Sequence, residues 1–129
     1  MSTELELLVW SAVLALGQML IAVIGAQTQV GLPRLAGNRE GMSALSGWAG
    51  RAQRAHRNML ESLVIFAIVV LVAHVSAQTN AATALGAMLF FWGRVAYAVV
   101  YAVGVPWLRT AVWAISLAGI LLILKELLL

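Results

Sequence analysis

Long apolar runs separated by polar breaks dominate the chain. The first extends from about Leu5 to about Val30, and most of its polar interruptions (Ser11, Gly17, Gln18, Gly25, Gln27, Thr28 and Gln29) gather toward the far end. Gly31 to Gly50 then breaks the pattern with Pro33, glycines, serines and the charged Arg34, Arg39 and Glu40, the composition of a polar loop. A second helix is predicted from about Arg51 to about Ser76. It starts in polar sequence and continues through the run Leu63 to Val72, where length and environment outweigh the weak helix propensity of β-branched residues. Ala77 to Asn80 is a short turn, so the second and third helices are expected to be antiparallel neighbours. The third runs from about Ala81 to about Val103 and stops at Gly104-Val105-Pro106, because proline lacks the backbone donor and disfavours helix in the residue before it. A fourth follows from about Trp107 to about Leu124, with Lys125 and Glu126 beyond it.

Composition turns these runs into membrane spans. With 63% hydrophobic residues, 10% charged residues and a mean hydropathy of +0.97, a water-soluble domain would present a mostly apolar surface. Each run has about the 20 residues that cross ~30 Å of hydrocarbon, and no segment is left for a soluble domain. The expected architecture is an all-α integral membrane protein, a four-transmembrane-helix bundle forming one domain over residues 1–129. Glu4 and Glu6 stand where a removable leader would carry basic residues, so the first run is read as a permanent helix. The absence of cysteine excludes disulfides, thiolate metal sites and a cysteine nucleophile. His74 has no second histidine at ligand spacing and His56 is placed at the interface, so no metal is expected.

Charge sets orientation. A net charge of +3 with a pI near 10.2 does not indicate nucleic acid, because the basic residues gather at one membrane boundary: Arg34, Arg39, Arg51, Arg54 and Arg57. The second connection is uncharged and the third carries Arg109 on the same side as the first. The positive-inside rule therefore places the long first loop in the cytoplasm and both termini on the opposite side, with Lys125 a minor dissent.

Two ionisable residues lie within apolar sequence, Glu61 and Arg94. At 1.5 Å per residue both fall roughly 10 to 15 Å below the cytoplasmic boundary. An intramembrane charge costs about 3 kcal/mol on insertion scales, so each is the expected partner of the other. Such a pair has a plain structural role, fixing helix register. At 100° per residue Arg51, Arg54, Asn58 and Glu61 share an arc of roughly 80°, and Arg94, Tyr97 and Tyr101 share roughly 60°. Arg57 is also placed to pair with Glu61 one turn later. Two facing polar stripes of arginines, an amide, a carboxylate and phenols suit a small polyanion that also carries an amine. Arginines would clamp its carboxylates and Glu61 would receive its ammonium. Arg109 and Thr110, on the next helix, could favour a thiolate over a thiol in the bound molecule. Interfacial anchoring explains Trp48, Trp107 and Tyr101 equally well.

Arg51-x-x-Arg54-Ala55-x-x-Asn58-x-x-Glu61, followed by Phe66 in an apolar helix, resembles the motif of the MAPEG family, the membrane-associated proteins of eicosanoid and glutathione metabolism. Gly93-Arg94-Val95-Ala96-Tyr97-x-x-x-Tyr101, then Pro106 and Arg109-Thr110, resembles the second family signature, and the likeness extends over the whole chain. The resemblance implies a homotrimer of four-helix protomers with a glutathione site between neighbours, opening toward the cytoplasmic face. It assigns Arg54, Asn58, Glu61, Arg94, Tyr97, Tyr101 and a first-loop Arg34 to glutathione binding, Arg109 to stabilising the thiolate and Thr110 to an auxiliary donor. Gly50 stands where the family motif commonly has Glu, and position 97, Tyr here, is Tyr or His among members. The function implied is that of a bacterial-type or microsomal glutathione transferase-like member in a bacterial inner membrane. Glutathione is then a cosubstrate for transferase or peroxidase chemistry on a lipophilic molecule. The family also has a non-catalytic branch, so a membrane adaptor that binds another membrane protein is the alternative. A channel built around Glu61 and Arg94 fits less well, because no span is discontinuous and no half is repeated.

Overall fold

Among the described residues, the chain forms α1 (Thr3–Val30), α2 (Leu32–Ala36), α3 (Gly47–Val75), α4 (Ala81–Val103) and α5 (Pro106–Leu128). This computed structural model describes residues 1–37 and 44–129, apart from the side chain of Arg34.

Local chemistry sets the helix ends. The Ser2 hydroxyl accepts from the Leu5 N–H at 3.3 Å, and Glu4 and Glu6 in the first turn complement the helix dipole of α1. α1 stops at Gly31, whose φ of 83° suits a residue without Cβ. Asn80 and Thr83 form a reciprocal box at the start of α4. Asn80 Oδ1 accepts from the Thr83 N–H at 2.9 Å, and Thr83 Oγ1 accepts from the Asn80 N–H at 2.8 Å. Gly104, at φ 87°, ends α4, and Pro106 opens α5, where its missing N–H costs nothing.

Some boundaries differ from the sequence expectation. α3 begins at Gly47 rather than near Arg51, because Gln29 ties the end of α1 to the start of α3. Its Nε2 donates to the Ser46 carbonyl at 2.7 Å and its Oε1 accepts from the Ser46 N–H at 3.0 Å. α5 continues to Leu128 rather than stopping near Leu124, and in its last turns Glu126 accepts from Asn80 Nδ2 at 2.7 Å. The predicted polar loop contains α2. Arg39 and Glu40 lie outside the described residues.

Backbones approach most closely between α4 and α5. A Cβ at Gly86 would lie 2.6 Å from the Gly119 carbonyl oxygen, and one at Gly93 would lie 3.0 Å from the Ser116 nitrogen. Small residues are needed here because lipid supplies no hydrophobic drive between helices, so close van der Waals contact has to hold them. Gly25 plays the same part between α1 and α3, where a Cβ would meet that of Ala49 at 2.8 Å. The centre is filled by Met59, Phe66, Val70, Phe90 and Ile123, with the Phe66 and Phe90 rings stacked at 4.0 Å between centroids. The large residues that a soluble protein would bury, such as Leu16, Ile24, Ile68 and Trp92, face outward instead. The four long helices are each long and apolar enough to cross a membrane, which fits a multi-pass integral membrane protein.

The two ends of the bundle differ. At one end the Thr83 hydroxyl lies within donating distance of both the Asn80 carbonyl, at 2.9 Å, and Oε2 of Glu4, at 3.3 Å, a residue only 4% exposed. The other end holds the Gln29 clasp and the arginines.

Candidate functional site

At the arginine end, α3, α4 and α5 contribute to one connected cluster. Arg54 Nε donates to the Tyr101 hydroxyl at 3.0 Å. The Tyr101 ring lies 5.5 Å from that of Tyr97, centroid to centroid. Arg94 Cζ sits 4.2 Å from the Tyr97 ring centroid, and Arg109 Cζ sits 4.8 Å from that of Tyr101. Helical spacing of three and four residues puts Arg94, Tyr97 and Tyr101 on one face of α4. The break at Gly104 to Pro106 turns the chain back, so that Arg109, in the first turn of α5, returns to Tyr101. Ala55 and Val112 pack against the phenols from α3 and α5.

Arg94 is the outlier. It is 1% exposed, and Nε, Nη1 and Nη2 all lack a hydrogen-bond partner. Its contact with Tyr97 returns about 2 kcal/mol. A cation within a span costs about 3 kcal/mol on insertion scales, so its demand for an anion is unmet.

The expected Glu61–Arg94 ion pair is not made. The Arg54–Tyr101 hydrogen bond and the Phe66–Phe90 stack set the α3–α4 register and place Glu61 and Arg94 level with each other. Their directions differ, however. Glu61 stands about 200° around α3 from the buried Met59 and is exposed, whereas Arg94 is turned inward beneath Tyr97. Arg57, one turn before Glu61, is exposed as well.

Asn58 and Glu61 line a neighbouring groove with Ser62, Trp113 and Ser116, about 240 Å³ in volume, between α3 and α5. It begins one helical turn beyond Arg54 and Arg109. Asn58 Oδ1 is buried without a partner, so this groove also has an unused acceptor. Trp113 and Ser116 were missed in the sequence, where nothing separates them from lipid-facing residues. Thr110 is exposed, and its hydroxyl donates to the Pro106 carbonyl at 3.3 Å within its own helix. The Arg34 side chain lies outside the described residues. Arg51 leaves the stripe it shares on a helical wheel: it lines a different cavity, together with Gln18 of α1.

Three guanidinium groups and two phenols from three helices converge at this end, and Asn58 and Glu61 line the groove beside them. Neither a curated protein nor a solved structure matches the chain. The model of the MAPEG family matches residues 7–129, nearly the whole chain and every residue of this cluster, and the protein belongs to that family.

Proposed function

We propose that the protein is an integral-membrane glutathione-dependent enzyme that conjugates a lipophilic electrophile or reduces a lipophilic peroxide. The observation that carries this reading is Arg94, a buried guanidinium with three unpartnered nitrogens inside a cluster of arginines and phenols. A tripeptide with two carboxylates and an ammonium answers that demand and the one next to it. Arg54, Arg94, Tyr97 and Tyr101 take its carboxylates, and Asn58 and Glu61 receive its ammonium. The positive charge of Arg109 favours the thiolate over the thiol, which supplies the nucleophile at neutral pH. Thr110 becomes an auxiliary donor when its hydroxyl turns from the Pro106 carbonyl.

The same reading includes a homotrimer with the site between neighbouring protomers. Glu61 supports it, because an exposed carboxylate on a spanning helix is costly against hydrocarbon and is relieved when a neighbour covers it. In that arrangement Arg34 grips the tripeptide from the first loop, the lipophilic substrate arrives through the bilayer, and the arginine end faces the cytoplasm of a bacterial inner membrane. Isothermal titration of glutathione into folded, detergent-solubilised protein tests the reading. Binding heat at millimolar glutathione is expected, and its absence from protein shown to be helical would end the proposal.

A further inference from the structure

An open groove of about 510 Å³ runs between α1 and α4 at the end of the bundle away from the arginines. Both helices start beside the Glu4–Thr83 contact and run from it in the same direction. Thr3, Glu6 and Trp10 line the groove from one face of α1, at helical spacings of three and four residues. Met88, Phe91 and Trp92 line it from α4, and the rings of Phe91 and Trp92 meet edge-on at 5.0 Å between centroids. Among the described residues α1 and α5 are not neighbours, so this groove lies across the bundle from the one that holds Asn58 and Glu61.

The groove is graded along its length. Counted from the Glu4–Thr83 contact at 1.5 Å per residue, Glu6 stands roughly 3 Å along it, Trp10 and Met88 roughly 8 Å and Trp92 roughly 14 Å. A carboxylate therefore sits at the mouth and an aromatic wall follows. Glu6 is exposed, and its carboxylate has no cationic partner among the described residues. Trp92 is exposed midway along α4, deeper than the headgroup level at which tryptophan anchors a span.

Charge decides what such a groove takes. An ion pair with Glu6 and the electron-rich face of an indole one turn away both favour a positive head. A phospholipid would bring its phosphate beside Glu6, and no Lys, Arg or His lines the groove to answer it. An uncharged chain would leave Glu6 unpaired at the edge of the hydrocarbon.

We propose that this groove binds a lipophilic cation, an alkylammonium whose head meets Glu6 and Trp10 and whose chain lies along Met88, Phe91 and Trp92. Each of these side chains is exposed or half-buried, so the ligand reaches them directly from the bilayer. The site does not depend on the proposed glutathione site, because Trp92 and Arg94, two residues apart on α4, point about 160° away from each other.

The test is a titration of protein in an uncharged detergent with octyltrimethylammonium, octanol and octanoate, followed by tryptophan emission. A saturable change with octyltrimethylammonium is expected, with the alcohol and the carboxylate weaker by about tenfold or more. Glu6→Gln should remove that preference, and joint replacement by Trp10→Phe and Trp92→Phe should remove most of the signal. Equal binding of ammonium and alcohol by the native chain would overturn the proposal without recourse to any variant. No saturable change, on protein shown to be helical by circular dichroism, would also overturn it and would mean that a second copy of the chain covers this face. A preference for ammonium that survives Glu6→Gln, or a full signal that survives loss of both tryptophans, would place the cation elsewhere and overturn it as well.

Discussion

Replacing Arg94 with methionine should stabilise the ligand-free protein, the reverse of what truncating a buried residue usually does. Methionine keeps the length and apolar stem of the side chain and removes the charge. The charge costs about 3 kcal/mol at this depth on insertion scales, and the cation–π contact with Tyr97 returns about 2 kcal/mol. No hydrogen bond is lost, since none of the three guanidinium nitrogens makes one. The net expectation is a gain of about 1 kcal/mol, or a few degrees in Tm for a chain of this size. With glutathione present the order should invert. A ligand at 100 times its Kd stabilises the native chain by about 2.7 kcal/mol, and the Arg94→Met protein should lose most of that increment. Thermal scans by intrinsic fluorescence at one scan rate, with and without glutathione, give all four values. If ligand-free Arg94→Met is less stable by about 3 kcal/mol, Arg94 has a protein partner in the assembled molecule, and the case for an unmet charge collapses.

Arg109→Ala should lower turnover at least tenfold while changing glutathione affinity much less, as steady-state kinetics and calorimetry on one preparation would show; unchanged turnover would remove this residue from thiolate stabilisation. Gly86→Ala should cost about 1–3 kcal/mol, because the added methyl meets the Gly119 carbonyl oxygen at 2.6 Å. Gly17→Ala, with nothing within 4 Å of the added atom, should be neutral or stabilising by up to about 1 kcal/mol, and thermal unfolding of the pair checks both signs. The chain has no cysteine, so single cysteines report topology directly. In intact cells Gln78→Cys should react with a membrane-impermeant maleimide and Ala44→Cys should not, and the opposite pattern would reverse the orientation.

The helices were legible because membrane spans announce themselves by length and polarity, and Gly104-Val105-Pro106 and Asn80 mark ends that local backbone chemistry enforces. Counting residues also placed Glu61 and Arg94 at one depth, which the α3–α4 register reproduces. Their rotation about the helix axes was not legible. It depends on which small residues let which helices touch, and Gly86 meets Gly119 across two helices rather than within a motif on one. Arg51 stands at the edge of its stripe, about 60° around α3 from Arg54, and lines the cavity on the Gln18 side with Trp48, Ala52 and Ala55. Gln18 read as a mere interruption of an apolar run, although a lone amide in a span is a polar group in search of a partner. The cluster of Arg54, Arg94, Tyr97, Tyr101 and Arg109 was recoverable because three of its members share one short stretch of α4.

The glycine seam between α4 and α5 also bears on how the molecule comes apart. Contact between backbones owes little to the surrounding solvent, so this hairpin should hold together in micelles that loosen the looser packing elsewhere. The junction between α3 and α4 is made by side chains instead, among them the Phe66–Phe90 stack, the packing of Ala55 on the two phenols and the Arg54–Tyr101 hydrogen bond, and the arginine cluster straddles it. On extraction or heating, ligand recognition should therefore disappear while helix content and the α4–α5 hairpin persist. A sample of this protein can be well folded by circular dichroism and already be silent toward its ligand.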